Sequence, residues 1–244
     1  MAAAPPRPAF IPLEANPTLM TSLLRNLGMS PALALHDVYS LTSPELLAFI
    51  PRPALALLLV FPVSPTYESY RLAEDATLPA YTGSGPSEPV LWFKQTIRNA
   101  CGLMGLLHAV SNGPARGFVQ GGSDLEKLIE RAVPLGVEER SELLETDPAL
   151  ASAHEKAASQ GDTAAPAAED DVDLHYVCFV KTEDGRLWEM DGSRKGPLER
   201  GVLGEGEDVL SERALALGPG RFLEREVGGD LRFSCVALAG SLDD

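Results

Sequence analysis

The chain has 244 residues, 45% of them hydrophobic, with 20 basic against 35 acidic side chains and a formal net charge of -15. That length and apolar share suit one folded domain, spanning 1–244, with a sizeable core. The negative field repels phosphate backbones, which excludes a nucleic-acid partner and favours a basic protein one.

In chain order, Asn16 followed by Pro17 signals a helix start, and Leu19, Leu23, Leu24 and Leu27 carry its apolar face to a stop at Gly28. Ser43-Pro44-Glu45-Leu46-Leu47 opens a short helix, Leu55 to Phe61 reads as a strand, and another helix begins near Thr66. Tyr81 to Pro89 is a glycine, serine and proline loop leading through a Val90 to Phe93 turn into Lys94 to Val110. Within that stretch Leu103, Leu106, Leu107 and Val110 recur at helical steps, and no proline intervenes before Pro114. Gly121-Gly122-Ser123 precedes a helix ending near Arg131, and Gly136-Val137-Glu138-Glu139-Arg140 opens a further one.

Ala149 to Asp171, rich in alanine, acids and small residues, is the best disorder candidate of the chain. Asp173 to Val180 is apolar on both faces, as a central strand would be. Glu183-Asp184-Gly185 is a turn, and Arg186 to Asp191 is the returning strand. Glu207 to Leu217 reads as a helix ending near Gly218, Arg221 to Glu226 as a helical turn, and Leu231 to Leu238 as a closing strand.

The longest apolar run, Leu55 to Phe61, is boxed by Pro53 and Pro62 and is far shorter than the roughly 18 residues of a membrane span. Residues 1–8 hold no apolar core of a secretory signal. Cys101, Cys178 and Cys235 are too few and too scattered for a disulfide scaffold, and no metal-ligand spacing is present. A cytoplasmic protein with no cofactor, no metal and no membrane association is expected.

Cys101 is the most informative residue. With Asn99 as N-cap it falls in the first helical turn, where unpaired amides and the helix dipole favour a thiolate. A nucleophile is one reading, and a buried inert thiol is the other. Of the four histidines, His108 lies in the same helix and reads as packed or capping, while His36 and His154 read as structural or exposed. His175 opens the central strand and is well held there.

Asp191 is its candidate partner, and the turn decides whether the two meet. A two-residue Asp184-Gly185 loop sets Asp191 opposite Cys178, on the face away from His175. A three-residue loop, with Gly185 in the left-handed position of a G1 bulge, sets it opposite Val177 and diagonal to His175 on one face. The three-residue turn is the expectation.

Together these residues resemble the ubiquitin carboxyl-terminal hydrolase family, in its short, L3-like form. The resemblance runs through Pro12-Leu13-Glu14-Ala15-Asn16-Pro17, Leu57 to Pro62, Gln95 to Cys101, Asp173-Leu174-His175-Tyr176, Leu187 to Gly192 and Leu231-Arg232-Phe233-Ser234. Two departures are visible. The His175 to Asp191 spacing is one residue longer than the family's usual one, and Phe10 stands where the family usually has a tryptophan.

The resemblance implies a papain-like α+β fold, an α/β/α core with a central, mainly antiparallel sheet flanked by helices and a knotted backbone. It implies a thiol-dependent deubiquitinase with Cys101 as nucleophile, His175 as base and acid, Asp191 orienting the imidazole and Gln95 donating to the oxyanion. Glu14, Asp37 and Asn99 are assigned to binding ubiquitin, or a close relative of it. Ala149 to Asp171 becomes a flexible crossover loop arching over the cleft, against its plainer reading as a solvated linker. A chain stopping at Asp244 leaves no room for the C-terminal extension of longer members, so a monomeric, free-standing enzyme is expected. A non-catalytic ubiquitin-binding protein and a papain-like transferase or amidase are the alternatives.

Overall fold

The computed structural model describes residues 8–161, 173–225 and 232–242. Helix α1 (Pro17–Leu27) forms as expected, with Asn16 Oδ1 accepting from the Thr18 and Leu19 amides at 3.0 and 3.3 Å and Gly28 closing the helix at φ 117°. Strand β1 (Leu33–Asp37), helix α2 (Pro44–Leu47), strand β2 (Ala56–Pro62) and helix α3 (Pro65–Ala76) follow. A long loop leads to α4 (Cys101–Ser111), a 3-10 turn (Gly113–Phe118), α5 (Asp124–Ala132), α6 (Val137–Thr146) and α7 (Pro148–Ala158). The chain continues through β3 (Leu174–Lys181), β4 (Arg186–Met190), β5 (Leu198–Val202), α8 (Glu212–Leu217), α9 (Pro219–Arg225) and β6 (Ser234–Gly240).

The six strands make one antiparallel sheet in the order β1-β6-β2-β3-β4-β5. Strand β2 is buried at every position, because each of its faces meets a separate apolar layer. Ala56, Leu58 and Val60 pack with side chains of α1 and α4 to α7, while Leu57, Leu59 and Phe61 pack with Tyr67 of α3, Ala214 and Leu215 of α8 and Phe222 of α9. Helices on both faces explain why this strand reads as a continuous apolar run and not as an alternating one. Helix α4 lies against β2 and β3, and every residue after Cys101 is buried.

Strands β3 and β4 join through the three-residue turn expected for them. Thr182 and Arg186 are bridged by the Thr182 amide to the Arg186 carbonyl at 3.0 Å, Gly185 adopts φ 84°, and Cys178 stands opposite Met190. Continuing that register sets Asp191 opposite Val177, on the side of His175. The residue added between His175 and Asp191 is absorbed by the bulge, so facing is preserved.

Several expectations are corrected. Ala149 to Ala158 is not irregular: it forms most of α7, capped by Asp147 Oδ1 on the Leu150 amide at 3.0 Å, with Leu150, Ala153, His154, Ala157 and Ala158 buried and the helix packed on α1. Alanine is the best helix former, and its small side chain lets two helices approach closely, so a composition that reads as low-complexity is here a packed face. Residues 162–171 of the expected crossover loop lie outside the described residues.

The expected Glu207 to Leu217 helix begins only after its cap Ser211. Ahead of it, Asp208 turns its carboxylate to the amides of Ala54 and Leu210 at 2.8 and 2.9 Å, bonds that compete with a helical ladder. The closing strand is β6 from Ser234 to Gly240, and Leu231 lies outside the described residues. Edge strands β1 and β5 were not anticipated, being only five residues long and partly exposed. Among the described residues no helix is long and apolar enough to cross a membrane.

Gly185→Ala places a Cβ at positive φ and 3.1 Å from the Leu203 carbonyl oxygen. It is expected to cost roughly 1–2 kcal/mol, read as a lowered midpoint in urea unfolding; an unchanged midpoint would contradict the bulge.

Candidate active site

Cys101 is the first residue of α4, and its helix is capped differently from the expectation. The N-cap is Ala100, with no side-chain hydrogen bond, while Asn99 sits at φ 59° in the left-handed region. Asparagine tolerates that conformation better than most residues, so Asn99 makes the sharp turn from the Gln95 loop into the helix instead of capping it. The consequence is favourable for a nucleophile: Cys101 is partly exposed, on a cleft of ≈ 450 Å³ that it shares with Leu13, Glu14, Asn99, Tyr176 and Phe233. Cys178 and Cys235 are buried, and burial pushes both thiols well above their ordinary range.

His175, one residue into β3, faces this cysteine. Its Nε2 lies 2.8 Å from Asp191 Oδ1, the Phe61 ring meets the imidazole edge-on at 5.8 Å, and the Cys101 side chain is near enough to raise the pKa of the imidazole. Burial by itself would lower the His175 pKa. The Asp191 charge and hydrogen bond, with further contributions from Cys101, outweigh it and hold the pKa well above the usual histidine range. Asp191 is completely buried, yet its pKa is held low by the imidazole and by Ser193.

Four donors reach this carboxylate. Oδ1 accepts from His175 Nε2, from the Ser193 amide and from Ser193 Oγ, each at 2.8 Å, and Oδ2 accepts from Tyr67 Oη at 3.0 Å. Trp92 Nε1 donates to the Asp191 backbone carbonyl at 3.1 Å. Behind Asp191 the buried Arg194 guanidinium lies 2.9 Å from Glu74 and from Asp75 and 3.1 Å from Glu189, and Arg200 pairs with the same Glu74 and Glu189. Each buried charge in this cluster therefore has a partner of opposite sign.

Gln95 comes to the same place from the loop before α4. Its amide donates to the Gly192 carbonyl at 2.8 Å, an approach so close that a Cβ on Gly192 would stand 3.0 Å from the Gln95 Cβ. The Gln95 side-chain Nε2 donates to the Ile97 carbonyl at 3.2 Å. Glu14 lines the cleft and also a neighbouring surface groove that contains Asp37.

The other histidines take structural places. His108 is fully buried and accepts from the Phe93 amide at 3.0 Å, and burial drives its pKa down to about 4. His154 is buried too, 2.7 Å from the Ile11 carbonyl and with its ring tilted against Phe10 at 4.7 Å. Sequence reasoning missed Tyr67, Trp92, Ser193 and Arg194. Ser193 carried a signal, since a hydroxyl two residues after an aspartate suits a local turn; Tyr67, more than a hundred residues away, carried none.

Comparison with known proteins shows which family the chain resembles. A family model described as "Ubiquitin carboxyl-terminal hydrolase, family 1" matches residues 10–217. The chain belongs to this family. "Ubiquitin carboxyl-terminal hydrolase 3" of Arabidopsis thaliana is 37% identical over 231 residues, 94% of each chain, and "Ubiquitin carboxyl-terminal hydrolase isozyme L1" of Rattus norvegicus is 34% identical over 227 residues, 93% of this chain and 96% of that one. The UCH37 catalytic domain of Trichinella spiralis, solved bound to ubiquitin vinyl methyl ester, superposes with a TM-score of 0.71 at 18% identity, covering 95% of both chains. The family's α+β fold, with helices on both faces of an antiparallel sheet, is thus the fold of this member.

The sign of the His175 shift makes a prediction. Because its folded pKa is raised above the ordinary 6.5, its contribution to stability is complete below about pH 6.5 and is lost as pH climbs through the raised value. In Asp191→Asn burial dominates, so His175 should titrate below 6.5 and stability should instead fall as pH drops through that region. Ring-proton NMR titration of the two proteins checks this; a His175 that titrates alike in both would refute the pairing.

Proposed function

We propose that this family member hydrolyses the bond after the C-terminal glycine of ubiquitin through Cys101, His175, Asp191 and Gln95. The observation that carries the reading is the 2.8 Å bond of His175 to buried Asp191 with Cys101 acting on the same imidazole from an open cleft. The Cys101 thiolate attacks the glycine carbonyl carbon, and negative charge collects on the carbonyl oxygen. Donors for that oxyanion are the Cys101 backbone N–H and the Gln95 side-chain amide, which has a second hydrogen beyond the one given to Ile97. The tetrahedral species collapses, the carbon–nitrogen bond breaks, and the His175 imidazolium protonates the departing amine. His175 then takes a proton from water, the resulting hydroxide attacks the thioester, and the ubiquitin carboxylate leaves while the thiol is restored. The raised His175 pKa favours the protonated ring that the first half of this cycle needs.

Ubiquitin, or a close relative of it, is the proposed partner, its basic tail drawn in by the acidic surface that Glu14 and Asp37 represent locally. Asn99, lining the cleft beside Cys101, is proposed to contact the tail. The protein is proposed to work as a cytoplasmic monomer, built as one catalytic domain over 1–244. The part of the expected crossover loop beyond α7 is proposed to control access, because Ala158 and Gly161 before it and Leu174 after it all line the cleft. A segment that covers the cleft would pass small or unfolded adducts and hinder folded ones.

Cys101→Ala should lose covalent capture of a ubiquitin probe with an electrophilic terminus and lower turnover of a fluorogenic ubiquitin substrate by at least about a thousandfold. Reversible binding by the wild type without capture would instead mark a binding protein. Shortening the segment between 162 and 171 should change the preference between small and bulky adducts while leaving probe capture at Cys101 within about twofold; parallel loss of both would count against the access role.

A further inference from the structure

We propose that Tyr67 and Ser193 are positioning residues that clamp the two oxygens of the Asp191 carboxylate and so hold the His175 imidazole in line with Cys101. The proposal rests on the reading of the site given above and adds to it a helix, α3, that none of the motif residues occupies.

A carboxylate turns about its terminal bond with a broad, two-fold preference, so one hydrogen bond to a histidine does not fix its plane. At Asp191 both oxygens are held. Ser193 gives Oδ1 its amide and its hydroxyl, and that hydroxyl oxygen also lies 3.4 Å from His175 Nε2, so it sits beside the histidine–aspartate bond on the solvent side. Tyr67 holds Oδ2 at 3.0 Å. The nearest guanidinium nitrogen, Arg194 Nε, is 3.9 Å from Oδ2, too far for a hydrogen bond, and Arg194 is engaged with Glu74, Asp75 and Glu189. Tyr67 is thus the donor that stops the carboxylate from rotating.

The tyrosine is itself well anchored. Its amide is capped by Ser64 Oγ at 3.0 Å in the first turn of α3, and its ring meets Phe61 at 4.7 Å and Phe222 at 5.9 Å. Phe61 also touches the His175 ring, so one aromatic residue braces both ends of the donor chain. Burial and the Asp191 charge, with Glu189 adding to them and Arg194 opposing, keep the phenol a proton donor throughout the working pH range.

Turnover of a fluorogenic ubiquitin substrate by Tyr67→Phe, Ser193→Ala and the double variant tests this, alongside the low-field Nε2–H resonance of His175. Each single change should lower kcat roughly three- to tenfold with KM within about twofold, and the double change more. The proton signal should broaden as it exchanges faster with water, and Ser193→Thr, which keeps the hydroxyl, should restore both readouts. Ser193 is exposed, so its variants are free of packing loss; the melting temperature of Tyr67→Phe separates a fold defect from a site defect. A sharp, unmoved resonance and unchanged kcat in both single variants, or an effect on KM alone, would overturn the clamp. Should the wild type turn over no ubiquitin substrate while the resonance still broadens in the variants, the clamp stands and the substrate assignment falls.

Discussion

A carboxylate sealed from water constrains everything around it. Burying an unpaired charge is prohibitive, and removing one partner of a buried pair costs roughly 3–5 kcal/mol. Asp191 is wholly inaccessible, so its immediate neighbours are donors: His175, Ser193 and Tyr67 reach the carboxylate itself, and Trp92 reaches its backbone carbonyl. Those donors come from β3, the segment after β4, α3 and the loop before α4. Asp191 thereby ties its own turn to β3, to α3 more than a hundred residues earlier and, through its backbone carbonyl, to the loop before α4.

The charge balance extends one layer deeper. Arg194 and Arg200 are almost completely buried, and between them they meet Glu74, Asp75 and Glu189. Arginine suits such a place because its planar fork serves two carboxylates at once. The net result is a low-dielectric pocket in which the imidazole gains more from the neighbouring anion than it loses to burial, whereas His108, fully buried and hydrogen-bonded to backbone, is pushed the opposite way. Two histidines in one interior thus acquire opposite protonation through their neighbours.

The sheet provides the rigidity this arrangement needs. Strand β2 lies under both apolar layers, α4 rests on it from one side with Cys101 at its tip, and Phe61 leaves it on the other side to brace His175 and Tyr67. A thiol on a helix and an imidazole on a strand are thus located by packing on the same central strand.

Much of this was legible in one dimension. The continuous apolar run of β2, the helical spacing after Cys101, the Asn16 cap and the glycine of the β3–β4 turn are local signals, and the structure agrees with them because each is governed by backbone conformation or by the side-chain period of a single element. Even the facing of His175 and Asp191 followed from the sequence, since turn length and strand parity are short-range properties. What failed was also instructive: alanine-rich α7 was mistaken for an irregular stretch because its stability comes from lying on α1, and Asn99 was assigned as a cap although it serves as the turn into the helix. The sequence by itself determined which residues could do chemistry and which strand faces they occupy. Only the tertiary structure decided which donors saturate Asp191 and in which direction His108 and His175 are shifted, because those depend on through-space contacts such as that of Tyr67 with Asp191, for which chain order holds no record.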